Sequence, residues 1–255
     1  MRRGAAVVLP AVDAELERLP PEERARIGYL WSRRAQNERA SSGVFQWVTE
    51  ALRDEGFDAS LVALATRAIS DELLHHDVCN EVAQRYAAGG VSAPIVATPP
   101  EPGFGTCSRR QARVLAITLQ CAVNESLSAA YLGVCLEQVQ SSVARAGLQR
   151  LLQDEVDHAR IGWALLASPQ LETSERARLS RHLPLLLDLS LSAWLAADAD
   201  YPEDLPTGHG VVSCKAIQAS TVASIRDVLL PGFAHVGLDV SFAQAYFSAH
   251  PQLRA

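Results

Sequence analysis

Apolar residues recur three and four residues apart along most of the chain. Leu61, Leu64, Ala65 and Ala68 form one such stripe, and Glu72 and His75 continue it. That spacing puts the side chains on one face of a helix, which the pattern predicts to run to about Ala88. The preceding helix begins at Pro20-Pro21 and Glu22-Glu23, where proline suits the first turn and the acids face the positive end of the helix dipole. It is expected to reach about Asp54. Gly56, with Asp58 and Ser60 at capping positions, then turns the chain into an antiparallel hairpin. Gly89-Gly90, Pro94, Pro99, Pro100, Pro102, Gly103 and Gly105 rule out regular structure and read as a long crossover connection. A third helix is predicted from about Ser108 to Val139. A fourth follows a tight junction at Ser141 or Ser142 and ends at about Ala167, ahead of Ser168-Pro169. Further helical patterns cover roughly 173–198, 211–229 and 232–250, with a loop at 198–210. No segment alternates as a strand would, so the class is all-α.

This divides the chain into an N-terminal segment, 1–21, a four-helix bundle, 22–168, and a C-terminal helical extension, 169–255, expected to pack on the bundle. With 255 residues, 48% of them hydrophobic and 20% charged, the chain can bury one sizeable core. The net charge of -6 is spread along it, and the basic residues form only short pairs such as Arg2-Arg3, Arg33-Arg34 and Arg109-Arg110. No nucleic-acid partner is expected. Apolar runs such as Leu183 to Leu187 fall well short of the roughly 20 residues of a membrane span. The apolar stretch Ala5 to Leu9 is cut short by Pro10 and Asp13 before a secretory signal could complete, so a cytoplasmic location is expected. Cys79, Cys107, Cys121, Cys135 and Cys214 lack metal-ligand spacing and read as reduced thiols. Cys79 and Cys121, each one turn from a candidate ligand, could still lie close enough to ligate or be oxidised.

Chemistry enters with two short motifs. Asp71-Glu72-Leu73-Leu74-His75 and Asp154-Glu155-Val156-Asp157-His158 each put Glu and His three apart, on one helical face. About 0.4 such pairs are expected by chance from this chain's Glu and His content, so either alone is weak. Their height in the bundle joins them. Glu38 lies about 18 residues before the turn near 56, and Glu72 and His75 lie about 16 to 19 after it. Glu125 precedes the turn near 141 by about 16 residues, and Glu155 and His158 follow it by about 14 to 17. All six side chains therefore fall at one level, whereas Glu50 sits too near the hairpin end. Four carboxylates and two imidazoles suit two divalent first-row metals, whose charge would offset that of the glutamates. Asp71 and Asp154 are placed to accept the outward N–H of a metal-bound histidine. The small and apolar residues Ala35, Ser42, Phe45, Ala68 and Ala122 either line a substrate cavity or allow close helix packing. His76, His182, His209, His235 and His250 have no partner at ligand spacing, and Tyr29, Tyr86, Tyr131 and Tyr246 read as packing residues.

Over residues 22 to 168 this pattern resembles the ferritin-like diiron carboxylate proteins, with Glu on helices one and three and Glu-x-x-His on helices two and four. Two hairpins joined by a long crossover are also the connectivity of that bundle. The ligand spacing is similar to that of aldehyde-deformylating oxygenases. It is more loosely similar to that of arylamine N-oxygenases, which carry a further histidine where this chain has Leu151. The resemblance implies two iron ions, with Mn/Fe as an alternative, at Glu38, Glu72, His75, Glu125, Glu155 and His158. The expected function is an O2-dependent oxidoreductase acting on a small organic substrate by hydroxylation, N-oxygenation or a related oxidation. No flavin or iron–sulfur motif is visible, so a separate electron donor or reductase is expected; a homodimer is compatible with the sequence. A ferroxidase and a helical module with a structural metal are the competing readings.

Overall fold

The computed structural model describes residues 7–87, 92–195 and 203–249, and among these every regular element is helical. A short helix, α1 (Ala14–Arg18), precedes two long ones, α2 (Pro21–Asp54) and α3 (Ala59–Tyr86). Gly56 turns the chain between α2 and α3 at φ 71°, a backbone conformation that favours glycine, and the two helices pack along their length. Crossover residues 92–108 follow, and Thr98 sits against Gly43 of α2, where an added Cβ would lie 2.3 Å from the threonine hydroxyl.

The third predicted helix is not uniformly α. It comprises α4 (Arg109–Ile117), a π-helical segment (Thr118–Asn124) and α5 (Glu125–Gln138). Val139–Ser141 then turn the chain into α6 (Ser142–Ala167), whose start is capped by the Ser141 hydroxyl accepting from Ala144 N–H. Helix α6 packs against α3, α5 and the π segment. Its Gly162 is required there, because a Cβ would come within 2.2 Å of Ala122 N and 2.6 Å of Cys121 C.

In the C-terminal part, α7 (Thr173–Leu195) packs on α4, the π segment and α8 (Cys214–Ser224). The expected break at Pro231-Gly232 is absent. A π turn (Ile225–Leu229) leads directly into α9 (Leu230–His235), and the chain breaks instead at Gly237, φ 82°, before α10 (Ser241–Ala249). Proline is tolerated because it stands in the first turn of α9, where the π turn has already shifted the hydrogen-bond pattern. The last residues of the predicted 173–198 helix, part of the 198–210 loop, and His250 lie outside the described residues.

The apolar core is in two parts. One joins Val44–Leu52 of α2, Leu61–Ala68 of α3, Val114–Leu127 of the third stretch and Ile161–Leu166 of α6 to α7 and to the α8–α10 region. The other joins Ile27–Ala35, Val78–Tyr86, Tyr131–Val139 and Val143–Leu151. On α2, α3 and α6 the residues between these two blocks include Glu38, Glu72, His75, Glu155 and His158. The helices thus carry a polar layer between two apolar halves. No helix among the described residues is long and apolar enough to cross a membrane.

Candidate metal centre

The polar layer brings all six predicted side chains together. Glu38, Glu72, His75 and Glu155 form one group with metal-ligand potential, and Glu72, Glu125, Glu155 and His158 form another; within each, the ligand atoms lie within 4.8 Å of one another. Glu72 and Glu155 belong to both groups. Glu72, His75, Glu125, Glu155 and His158 are buried, and the Glu38 side chain is 14% exposed. Glu50, the competing acid on α2, is exposed.

The two histidines are placed reciprocally. His75 Nδ1 faces Glu155 Oε1 at 3.4 Å and Glu38 and Glu72 at 3.7 Å, while its Nε2 lies 3.1 Å from Asp154 on the neighbouring helix. His158 Nδ1 faces Glu72 Oε1 at 3.2 Å and Glu155 Oε2 at 3.6 Å, while its Nε2 points toward Asp71 at 3.7 Å. Asp154 therefore accepts from the histidine of the other helix, whereas Asp71 stands opposite His158 Nε2 beyond hydrogen-bond distance. Each is also ion-paired one turn back along its own helix, Asp71 with Arg67 and Asp154 with Arg150. The repeated motif is thus longer than Glu-x-x-His: Arg-x-x-x-Asp-Glu-x-x-His occurs at Arg67–His75 and again at Arg150–His158. The two arginines are the sequence signal for how the aspartates are held.

Burial opposes a charged His75, but Asp154, Glu155, Glu38 and Glu72 outweigh it and push its pKa well above the ordinary histidine value. Burial likewise opposes charge on His158, and Asp71, Glu155 and Glu72 raise it. For Glu72 and Glu155 the burial cost is overcome by both histidines, and their pKa values fall. Burial together with the neighbouring glutamates lifts Glu38 to about 8 and Glu125 well above the usual carboxylate range. Without metal, the cluster therefore balances its charge by holding protons: two imidazoliums face two carboxylates, and two further glutamates are neutral.

That balance leaves atoms unsatisfied. Glu72 Oε2, Glu155 Oε2, His75 Nδ1 and His158 Nδ1 are all buried without a hydrogen-bond partner, although they converge on one space. Each such atom costs about 1–3 kcal/mol. Oxygen and imidazole nitrogen donors in this arrangement match what a divalent first-row metal pair requires, so the residues fit that group.

Gln120 was not anticipated. Its side-chain amide donates to Glu125 Oε1 at 2.6 Å. The residues are five apart, and the π segment brings them onto one face, with Glu125 N–H bonding to Gln120 O. A search at α-helical spacing passes over such a pair.

A cavity of about 280 Å³ opens onto Glu38, Glu72, Glu125 and Glu155. Ala35, Ser42, Phe45, Ala68 and Ala122 do not line it, contrary to one of the sequence expectations. They are buried packing residues: Phe45 lies against the His158 ring at 5.1 Å, and Ala35 O accepts from His76 Nδ1 at 2.7 Å. The wall instead includes Arg33, Arg34, Asn37, Tyr131 and Leu132, together with Ala193, Trp194 and Ile217 from α7 and α8. The extension is therefore part of the cavity. Cys79 and Cys121 are fully buried and belong to neither ligand group; burial first, and nearby glutamates next, raise both thiols. All five cysteines are free. No known family model matches the chain, and no curated protein or solved structure matches it.

Proposed function

We propose that the chain is a ferritin-like non-haem diiron oxidoreductase that uses O2 to oxidise a small organic substrate. The observation that carries this reading is the convergence of six ligand-type side chains from α2, α3, α5 and α6, five of them buried, with orphaned atoms facing one space beside a cavity. The metals would be held by Glu38, Glu72 and His75 on one side and Glu125, Glu155 and His158 on the other, with Glu72 and Glu155 able to serve both. When bound, a diiron pair supplies the electrons and the Lewis acidity for O2 activation.

The protein's share is positional. Asp154 accepts the His75 Nε2–H, leaving Nδ1 directed at the carboxylates, and Asp71 stands in the corresponding place for His158. Gln120 fixes one oxygen of Glu125 and leaves the other to the cluster. The two apolar halves above and below confine access to the layer to the side of the cavity. An external reductase, or the substrate, would return electrons between turnovers.

A substrate-sized cavity on the carboxylates favours oxidation of an organic molecule over iron storage. The test is anaerobic Fe(II) loading, metal analysis, and rapid mixing with O2 in the presence and absence of candidate organic molecules. About two metals per chain are expected, with visible absorption changes that decay faster when a substrate is present. Loading below one metal per chain would overturn the dimetal reading. Continued Fe(II) oxidation with mineral growth would instead identify a ferroxidase.

A further inference from the structure

The cavity wall is not neutral. Among the described residues that line it, the charged ones are the four glutamates of the cluster and two arginines, Arg33 and Arg34. Arg34 stands about one helical turn, roughly 6 Å, before Glu38 along α2. Its guanidinium is held in place: Nη2 donates to Tyr131 Oη at 2.7 Å and to Gly210 O at 3.1 Å, and the group lies 4.3 Å over the Trp31 ring. The Gly210 carbonyl can reach it because Gly210 adopts φ 77° with no Cβ; an added Cβ would sit 2.6 Å from Trp31. The lining also includes the polar side chains of Asn37, Ser41 and Ser128 and the apolar ones of Leu132, Trp194 and Ile217.

We infer that this cavity takes a small organic carboxylate, with its anionic head on Arg33 and Arg34 and its apolar body against Leu132, Trp194 and Ile217. The substrate of the oxidation proposed above is then an organic acid; that extension rests on the oxidoreductase reading, whereas the binding itself does not. A planar carboxylate matches the forked donors of a guanidinium, and an arginine fixed by neighbours loses little freedom on binding. A volume of about 280 Å³ is near the lower edge of pockets that enclose small molecules.

The test titrates hexanoate and its neutral counterpart hexanamide into the full chain by calorimetry, both metal-free and loaded with redox-inactive Mn(II). Metal content is measured on the same samples. Hexanoate should bind at least about tenfold more tightly than hexanamide. Arg33→Gln and Arg34→Gln should each remove most of that preference while leaving hexanamide binding within about twofold. Because Arg34 is buried, Arg34→Lys and thermal melting serve as its folding controls, and Arg33→Gln together with the wild-type acid–amide comparison stands without it. Equal affinity for acid and amide in both metal states would overturn the inference. So would an acid preference that survives in both glutamine variants, since the carboxylate would then be sitting on the metals. A chain that prefers hexanoate but takes up no Mn(II) keeps the acid site and loses the dimetal reading; one that loads Mn(II) without the preference does the reverse.

Discussion

Two buried polar clusters lie in the same bundle, and they are built on opposite terms. Near the α5–α6 turn, His209 Nδ1 lies 3.0 Å from Tyr86 Oη, Tyr86 donates to Ser141 Oγ at 2.8 Å, and Ser141 donates to Asp13 Oδ2 at 2.6 Å. Asp13 also accepts from Val143 N–H and from the first amides of α1. None of these four side chains keeps a buried atom without a partner. The network ties the N-terminal segment, α3, the α5–α6 turn and the 203–213 loop together, and its groups are spent on one another. The Glu/His layer is buried except at Glu38, yet Glu72 Oε2, Glu155 Oε2, His75 Nδ1 and His158 Nδ1 face a common space without hydrogen-bond partners. A satisfied network is a structural staple; an unsatisfied one is suited to receive a ligand.

Several substitutions can break this contrast. The largest effect belongs to Glu155→Ala. Glu155 is in both ligand groups, so metal analysis after Fe(II) or Mn(II) loading should show near-complete loss, about 100-fold or more in affinity. Glu38→Ala or Glu125→Ala should leave about one metal per chain; equal occupancy in all three variants would show that the two groups are not separate sites. In the other cluster, Asp13→Ala removes two helix caps and a buried charged acceptor at once, and should cost about 3 kcal/mol in urea unfolding, with or without metal. Gly162→Ala forces a methyl group into the Cys121–Ala122 backbone. A loss of about 2 kcal/mol is expected, together with weakened binding in the Glu125 half of the site, read from metal titration. The smallest stability change has the opposite sign: Glu125→Gln removes the cost of keeping a buried carboxyl protonated near pH 7 and should stabilise the metal-free chain by about 1 kcal/mol while weakening metal binding. A loss in both states would mean that Glu125 is structural.

The pH dependence sharpens the same distinction. The metal-free layer holds protons on His75, His158, Glu38 and Glu125, and a metal pair must displace them. Binding near pH 7 should therefore release up to about four protons, and affinity should rise with pH. Calorimetry in buffers of different ionisation enthalpy measures the release; none would argue against this layer as the binding site. His209 runs the other way. Burial lowers its pKa, so it is neutral in the folded chain, and stability should begin to fall as pH drops below the ordinary histidine value near 6.5.

How much was legible follows the range of each interaction. The hairpins were readable because Pro21, Gly56, Asp58 and Ser141 act within one or two turns of themselves. The six ligand-type residues were readable because helical rise converts residue counts into height, and the structure brings all six together. The π segment left no comparable trace; it lies where α6 brings Gly162 against its backbone, a contact between distant segments. With it went the Gln120–Glu125 pair, invisible at α-helical spacing. The small and apolar residues near Glu38 serve close packing and leave the cavity wall to others.

By itself, then, the sequence determined the all-α class, the two hairpins and the level at which four glutamates and two histidines meet, because these follow from local periodicity and a fixed rise per residue. Only the tertiary structure decided which aspartate serves which histidine, that the C-terminal helices complete the cavity, and that Arg34 is held there by Tyr131 and Gly210. Those are contacts between segments as many as 176 residues apart, and no local pattern of polarity encodes which distant surfaces will pack together.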